Sequence, residues 1–227
     1  MTATRRPVAL LVAAGIVFLV LMGLGVWQVQ RLGWKTDLIA RVDARVAADP
    51  VPTPPPAEWA GLTAEDAEYR RVSLQGEYRP DSDVLVQAVT ELGAGFWVMT
   101  PLVADDGGTV LVNRGFVAAD RRDDRPLPQG PQGVTGLLRL SQPDGAFLRA
   151  NDPQAGRWYS RNTQAMAASL GLSDVAPYFI DADRAGDAQP IGGLTVIAFR
   201  NPHLTYALTW FAMAGGLLIL VIYALRR

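Results

Sequence analysis

The sequence contains no cysteine, and this absence excludes several kinds of site at once. Without a thiol the chain cannot form disulfides, supply a cysteine nucleophile, attach a c-type haem through C-x-x-C-H, or hold zinc or an iron-sulfur cluster on cysteine. Copper delivery is also disfavoured, because soft-metal sites use Cys, Met and His, and the five methionines are scattered along the chain.

Histidine is nearly absent as well, since His203, within RNPHLTYALTW, is the only one among 227 residues. No Ser-His-Asp triad can therefore form in the region before it, and the sequence has neither a phosphate-binding glycine loop nor a G-x-S-x-G motif. Adjacent carboxylates at 105–106 and 123–124 lie in turn-like sequence, whereas acid-base catalysis needs carboxylates that face each other across a cleft. We predict a binding or scaffolding protein and not an enzyme.

Charge is missing from two long runs, residues 7–30 and residues 201–225. Each run exceeds the roughly 20 residues that a helix needs to cross about 30 Å of hydrocarbon. The first run could instead be a cleaved signal peptide, but it is long for one and no A-x-A cleavage site follows it. We interpret both runs as transmembrane helices, the first as an uncleaved anchor.

The distribution of charge predicts the orientation in the membrane. Arginines flank the two spans at residues 5–6 and 226–227, so both termini (1–6 and 226–227) are expected to be cytoplasmic tails. All 22 acidic residues lie between the spans with 17 basic ones, a net charge of 17 minus 22, or −5, which argues against binding nucleic acid. Without an Arg-rich and Ser-rich presequence, we expect the plasma (inner) membrane of a bacterium, with a periplasmic loop.

The loop is expected to have a stalk and a globular part. Helical spacing continues past the first span, and the proline-rich residues 50–56 stop it, so residues 31–56 are predicted to be a helical stalk and linker. Alternating and β-branched runs follow, among them YRRVSLQGEY, DVLVQAVT, FWVMTPLV, TVLVNRGFV, GVTGLLRL, PYFIDAD and TVIAFR. DDGG at 105–108 predicts a hairpin turn, and TQAMAASLGL predicts a short helix. Residues 57–200 are thus predicted to be one β-rich (α+β) domain, as a sandwich, a barrel or an open sheet.

Several motifs, in order between the two terminal spans, resemble the surfeit locus protein family of cytochrome c oxidase assembly factors, in its bacterial type. They are LGVWQVQRLGWKTDLI, YRRVSLQGEY, VLVNRGFV, RWYSRN, PIGG and RNPHLTYALTWF. The resemblance covers essentially the whole chain, and it is carried by the combination of motifs and not by any single one. One departure is Asn162, where the family often has an aspartate, so no ionic role is assigned to that residue.

The resemblance implies a chaperone in respiratory chain biogenesis that binds haem a as transient cargo and assists its insertion into a haem-copper oxidase. The implied partners are the catalytic subunit I of the oxidase and haem a synthase, in addition to membrane lipid. The family's histidine at the start of the second span corresponds to His203, which is therefore expected to ligate the haem iron. Neutral imidazole is a standard axial ligand, and one protein ligand suits reversible handover.

Helical spacing extends this expectation to neighbouring residues. From a helix start near Pro202, Tyr206, Ala207 and Trp210 share a face with His203, and we expect Tyr206 and Trp210 to contact the haem. Each residue also has an ordinary interpretation, because aromatic residues form belts at membrane surfaces and a histidine at a span end can simply be solvated.

An alternative function is a membrane-anchored scaffold that binds no cofactor and stabilises an oxidase assembly intermediate. In this hypothesis the loop domain would dock through surfaces such as Arg114 to Phe116 and Trp158 to Arg161. A two-span sensor or an envelope hydrolase is less consistent with the sequence, since neither an output domain after the second span nor a catalytic constellation is evident.

Overall fold

The computed structural model describes residues 5–143, 149–186 and 189–226. The chain forms two compact units: Val42–Val196, and a second unit that combines the residues up to Arg41 with those from Ile197 onward. Within the described residues two helices are long and apolar enough to cross a membrane. They lie near the two ends of the chain and flank a β-rich domain, so the predicted fold class is confirmed.

The helical unit contains α4 (His203–Leu225) and the apolar part of α1 (Arg5–Ala47). On both helices the less exposed side chains recur three or four residues apart, which is the spacing of one helix face. This stripe contains residues 14, 18, 21, 25, 28 and 32 of α1 and residues 203, 207, 210, 214, 217 and 221 of α4. Most other side chains of the two apolar stretches are exposed, as expected for surfaces that face lipid.

Three contacts show that α4 runs antiparallel to α1 within this unit. Lys35 lies over the ring of Phe199, Gln28 contacts His203, and Gly25 faces the ring of Phe211. A Cβ atom at Gly25 would lie 2.4 Å from Phe211 Cε1, so a glycine at this position lets the aromatic ring approach the helix.

The β-rich unit is a single sheet that closes on itself. Its seven described strands are β1 (Val51–Pro52), β2 (Arg71–Tyr78), β3 (Val84–Thr90), β4 (Gly93–Ala104), β5 (Thr109–Ala118), β6 (Gln132–Leu140) and β7 (Val175–Ala182). They lie in the order β1-β2-β6-β7-β5-β4-β3. An additional antiparallel pairing of β2 with β4 closes β2, β6, β7, β5 and β4 into a five-stranded barrel.

The closure of the barrel depends on one glycine. Gly76 of β2 pairs with Ala104 of β4, and a Cβ atom at Gly76 would lie 2.1 Å from the carbonyl oxygen of Val103. Only a residue without a side chain allows the two strands to come this close.

The interior of the barrel is filled by apolar side chains that alternate along the strands. Members without solvent exposure include Leu102, Val112, Leu138, Tyr178 and Ile180. The burial pattern of β2, with Val72, Leu74 and Gly76 inside, confirms the alternation predicted for YRRVSLQGEY.

The proline-rich segment 50–56 belongs to the domain and is not only a linker. Its residues Val51 and Pro52 form β1, which pairs in parallel with β2. The carbonyl oxygen of Pro54 accepts hydrogen bonds from Trp59 Nε1 and from the buried Tyr178 hydroxyl, both at 2.9 Å. These bonds attach the segment to the barrel core.

Two further segments test the secondary structure that the sequence predicts. After α2 (Ala64–Ala67), a single helical turn, the predicted short helix is present as α3 (Thr163–Ser169). Asn162 caps α3 by accepting a hydrogen bond from Ala165 N. The strand predicted for TVIAFR (195–200) is wrong, because this segment has no regular secondary structure. Thr195 instead donates its hydroxyl to Asp181, and Val196 is 79% exposed.

Candidate metal-ligand site around His203

His203 is the first residue of α4, after Pro202 at the N-cap. The proline fixes its own φ and has no amide hydrogen to leave unsatisfied, so it is well suited to the start of a helix. The start predicted near Pro202 is therefore confirmed. The imidazole is half-buried, and its Nδ1 lies 2.7 Å from Oε1 of Gln28 on α1.

This contact favours the tautomer in which Nδ1 of His203 carries the proton. The amide oxygen of Gln28 faces the ring and only accepts hydrogen bonds, so Nδ1 is the donor in this arrangement. In a neutral imidazole the other nitrogen, Nε2, then keeps its lone pair. Nε2 can therefore ligate a metal ion or accept a hydrogen bond, and the described residues supply no partner for it.

The neighbourhood of His203 on α4 is asymmetric. Ala207, one turn further on, is only 1% exposed, and Trp210 follows on the same stripe with its ring partly buried. Tyr206 is 49% exposed and lies beside the stripe. The helix thus places His203 and Trp210 on the stripe and Tyr206 at its border.

Gln28 is the residue of this site that the reading of the sequence missed. It is 8% exposed and lies near the end of the uncharged run of α1, residues 7–30. The sequence did contain a signal: Gln28 occurs three residues after Gly25 and four before Leu32 on the stripe, whereas the nearby Gln30 is exposed. A polar side chain on the protected face of a membrane helix is a candidate functional residue.

Metal ligands are otherwise sparse. Across residues 5–143, 149–186 and 189–226 there is no group of three or more His, Cys, Asp or Glu side chains that could hold a metal ion. His203 can contribute one nitrogen ligand. One ligand from the protein is enough for a metal ion that a cofactor already holds with ligands of its own.

The β-rich domain has its own polar cluster, at a cavity of about 450 Å³. Asp181 of β7, only 3% exposed, accepts hydrogen bonds from Asn113, Arg139, Arg161 and Thr195 at 2.7 to 3.1 Å. Arg139 also pairs with Glu68 at 2.8 Å.

The electrostatics of this cluster are balanced. Burial lowers the pKa of Arg161, and the neighbouring Asp181 counteracts this only in part. Burial also acts to lower the pKa of Arg139, but Asp181 and Glu68 outweigh it, so the net shift is upward. The two guanidinium and two carboxylate charges sum to zero, so the cluster offers no net charge to attract an ion. It joins β5, β6 and β7 and serves the stability of the barrel.

Of the residues suggested as docking surfaces for a scaffold, 114–116, 158 and 160 are buried, whereas Tyr159 and Arg161 are partly exposed. Arg114 is 8% exposed, Phe116 and Trp158 are buried in the core, and the guanidinium of Arg114 donates to the carbonyl oxygen of Pro126. Arg114 also lies 3.7 Å from the carboxylate of Asp83. The earlier expectation for the buried residues is wrong, because they stabilise the domain from inside.

Together, the fold and the site define a class of protein: a small β-barrel domain flanked by two helices suited to a membrane, with one potential metal ligand at the start of the second helix. Comparison with known proteins gives the family. Residues 15–215 match the model of the SURF1 family, and this range includes both Gln28 and His203. The chain belongs to the SURF1 family.

Several curated relatives agree with this assignment. Surfeit locus protein 1 of Rattus norvegicus is 35% identical over 217 residues, covering 86% of this chain and 68% of the relative. The Homo sapiens protein of the same name is 34% identical over 220 residues, covering 86% and 70%. A SURF1-like protein of Monosiga brevicollis is 31% identical over 245 residues, covering 99% and 91%.

Proposed function

We propose that this protein is an assembly factor for a haem-copper oxidase, which binds haem a through His203 and assists its insertion into the catalytic subunit. The observation that carries the proposal is the 2.7 Å contact between His203 Nδ1 and the amide oxygen of Gln28, because Nε2 keeps its lone pair when Nδ1 is the donor. Membership of the SURF1 family supports the general role.

The residues present fit a haem. The porphyrin supplies four nitrogen ligands to iron, so a protein with one histidine can complete a five-coordinate site. The stripe around His203 also contains Ala207 and Trp210, a small side chain and an aromatic ring, which suit a flat apolar ligand. A single protein ligand makes the bound state easier to reverse than a pair of histidines would, as a carrier requires.

The proposed setting follows from the charge distribution of the sequence. It places both termini in the cytoplasm and the barrel domain on the other side of the membrane. We propose the plasma membrane of a bacterium, with the barrel in the periplasm, because the motifs resemble the bacterial type of the family. Haem a synthase would supply the haem, and subunit I of the oxidase would receive it. Membrane lipid surrounds the two apolar helices.

The test is to purify the full chain from cells that make haem a and to record its optical spectrum. The wild-type protein should carry haem with a distinct Soret band, and His203→Ala should lose most of it. Thr205→Ala is the matched control, because this side chain is polar, exposed and on the same turn of α4. Full haem content and an unchanged Soret band in His203→Ala would reject the proposal.

A cofactor-free scaffold is the second candidate, and one observation favours it. Val89 and Leu92 of the β3–β4 hairpin and Val196 are exposed and line the 450 Å³ cavity together. Exposed apolar side chains that cluster are typical of docking surfaces. If Leu92→Lys blocks oxidase assembly while His203→Ala does not, the scaffold explains the function better. Glu77→Gln is the control, because Glu77 is exposed on β2 and does not line the cavity.

A further inference from the structure

We infer that Gln28 is a positioning residue, which holds the proton on Nδ1 of His203 and thereby directs Nε2 towards the iron. This inference rests on the proposed haem-carrier function and adds a second residue, from the other helix, to the same site. Gln28 itself would not touch the iron.

The first step of the argument is the cost of burying an amide. Gln28 is 8% exposed, and a buried amide without a hydrogen-bond partner destabilises a protein. His203 is the side-chain partner that the described residues provide for it, at 2.7 Å. Because the atom of Gln28 that faces Nδ1 is the amide oxygen, an acceptor, the Nδ1-protonated form of the imidazole is favoured over the Nε2-protonated form.

The second step is the effect on the ligand. A hydrogen bond from Nδ1 to an acceptor fixes the orientation of the ring and increases the basicity of Nε2, as it does for metal-bound histidines generally. A neutral amide gives a smaller increase than a carboxylate would. It also places no charge within residues 7–30, the uncharged run of α1, where a charge would be costly in a membrane.

The third step is that the bond joins two helices. Gln28 lies on α1 and His203 on α4, 175 residues apart in sequence. Which nitrogen of the His203 imidazole carries the proton therefore depends on the pairing of α1 with α4. By linkage, iron binding at Nε2 should in turn strengthen this pairing.

The experiment uses the fact that the chain has one histidine. The full-length protein, purified with a histidine-free tag and labelled with 15N-histidine, gives imidazole NMR signals that come from His203 alone. In haem-free wild-type protein we expect a protonated Nδ1 and an unprotonated Nε2. Gln28→Leu should lose this preference, Gln28→Glu should keep it, and Gln30→Leu, which changes an exposed glutamine of α1, should leave it unchanged.

A haemin titration of the same variants supplies the second readout. Gln28→Leu should weaken haemin binding about 10- to 100-fold, the usual effect of removing a residue that orients a metal ligand. Gln28→Glu should restore the binding and lower the reduction potential of the bound haem, because a carboxylate is the stronger acceptor. The conservative variant thus separates positioning from a general defect in folding.

The outcomes distinguish the inference from the function on which it rests. If His203→Ala weakens haemin binding but Gln28→Leu matches wild type in both affinity and tautomer, Gln28 does not position the ligand and only the inference fails. If His203→Ala binds haemin as wild type does, the haem-carrier function itself fails.

Discussion

Replacing Asp181 by alanine should destabilise the barrel more than any change at an exposed ion pair. The carboxylate is buried and accepts hydrogen bonds from two arginines, Arg139 and Arg161. Its removal leaves both guanidinium groups without their shared counter-ion, and breaking a buried pair in this way costs about 3–5 kcal/mol. With an m-value of roughly 2 kcal/mol/M for a domain of this size, the urea midpoint should fall by about 1.5–2.5 M.

The assay is urea denaturation of the full chain in detergent, followed by tryptophan fluorescence. The matched control is Asp124→Ala, which removes the Arg121–Asp124 pair, whose side chains are 57% and 43% exposed. Such surface pairs contribute about 0–1 kcal/mol. If Asp181→Ala shifts the urea midpoint no more than this control does, the buried cluster around Asp181 does not stabilise the barrel as we describe.

Three further predictions follow from particular contacts. Gly25→Ala should disturb the packing of Phe211 and so change the His203 NMR signals, whereas Gly23→Ala, with open space around it, should not; unchanged signals in both would show that the contact is unimportant. Burial raises the pKa of Tyr178 from 10.0 to about 12, so its contribution to stability is complete below pH 10 and is lost as pH rises towards 12; this loss, on the order of 3 kcal/mol, should disappear from the pH profile of unfolding in Tyr178→Phe. Alkaline phosphatase fused after Gly130 should be active if the loop is periplasmic, and an inactive fusion would invert the proposed topology.

The parts of the fold that the sequence could predict are those set by local pattern. Alternating apolar residues identified β2, and the two glycines at 107–108, which adopt positive φ, identified the hairpin turn between β4 and β5. The closure of β2 against β4 could not be read in the same way, because it joins strands that are not neighbours in sequence. For the same reason the β-branched run at 195–200 was predicted to be a strand, although none of the described strands pairs with it.

Of the two residues of the candidate site, the sequence predicted only His203. His203 was identifiable as the single histidine at the start of a helix, whereas its partner Gln28 lies 175 residues away and on another helix. Arg114 and Trp158 were misassigned to surfaces because arginine and tryptophan are common at interfaces. The residue type alone does not show whether an arginine or a tryptophan is buried or exposed. In the structure Trp158 packs in the core against Val86, and Arg114 donates hydrogen bonds to backbone carbonyl groups.

The most direct test of the central claim is resonance Raman spectroscopy of the ferrous haem-bound protein, made once with ordinary histidine and once with 15N-histidine. Because His203 is the only histidine, an iron–histidine stretching band can arise from this residue alone. We predict such a band in the wild-type protein, shifted to lower frequency by the label and missing in His203→Ala. Bound haem whose iron–ligand band does not respond to the label would contradict the assignment of His203 as the ligand.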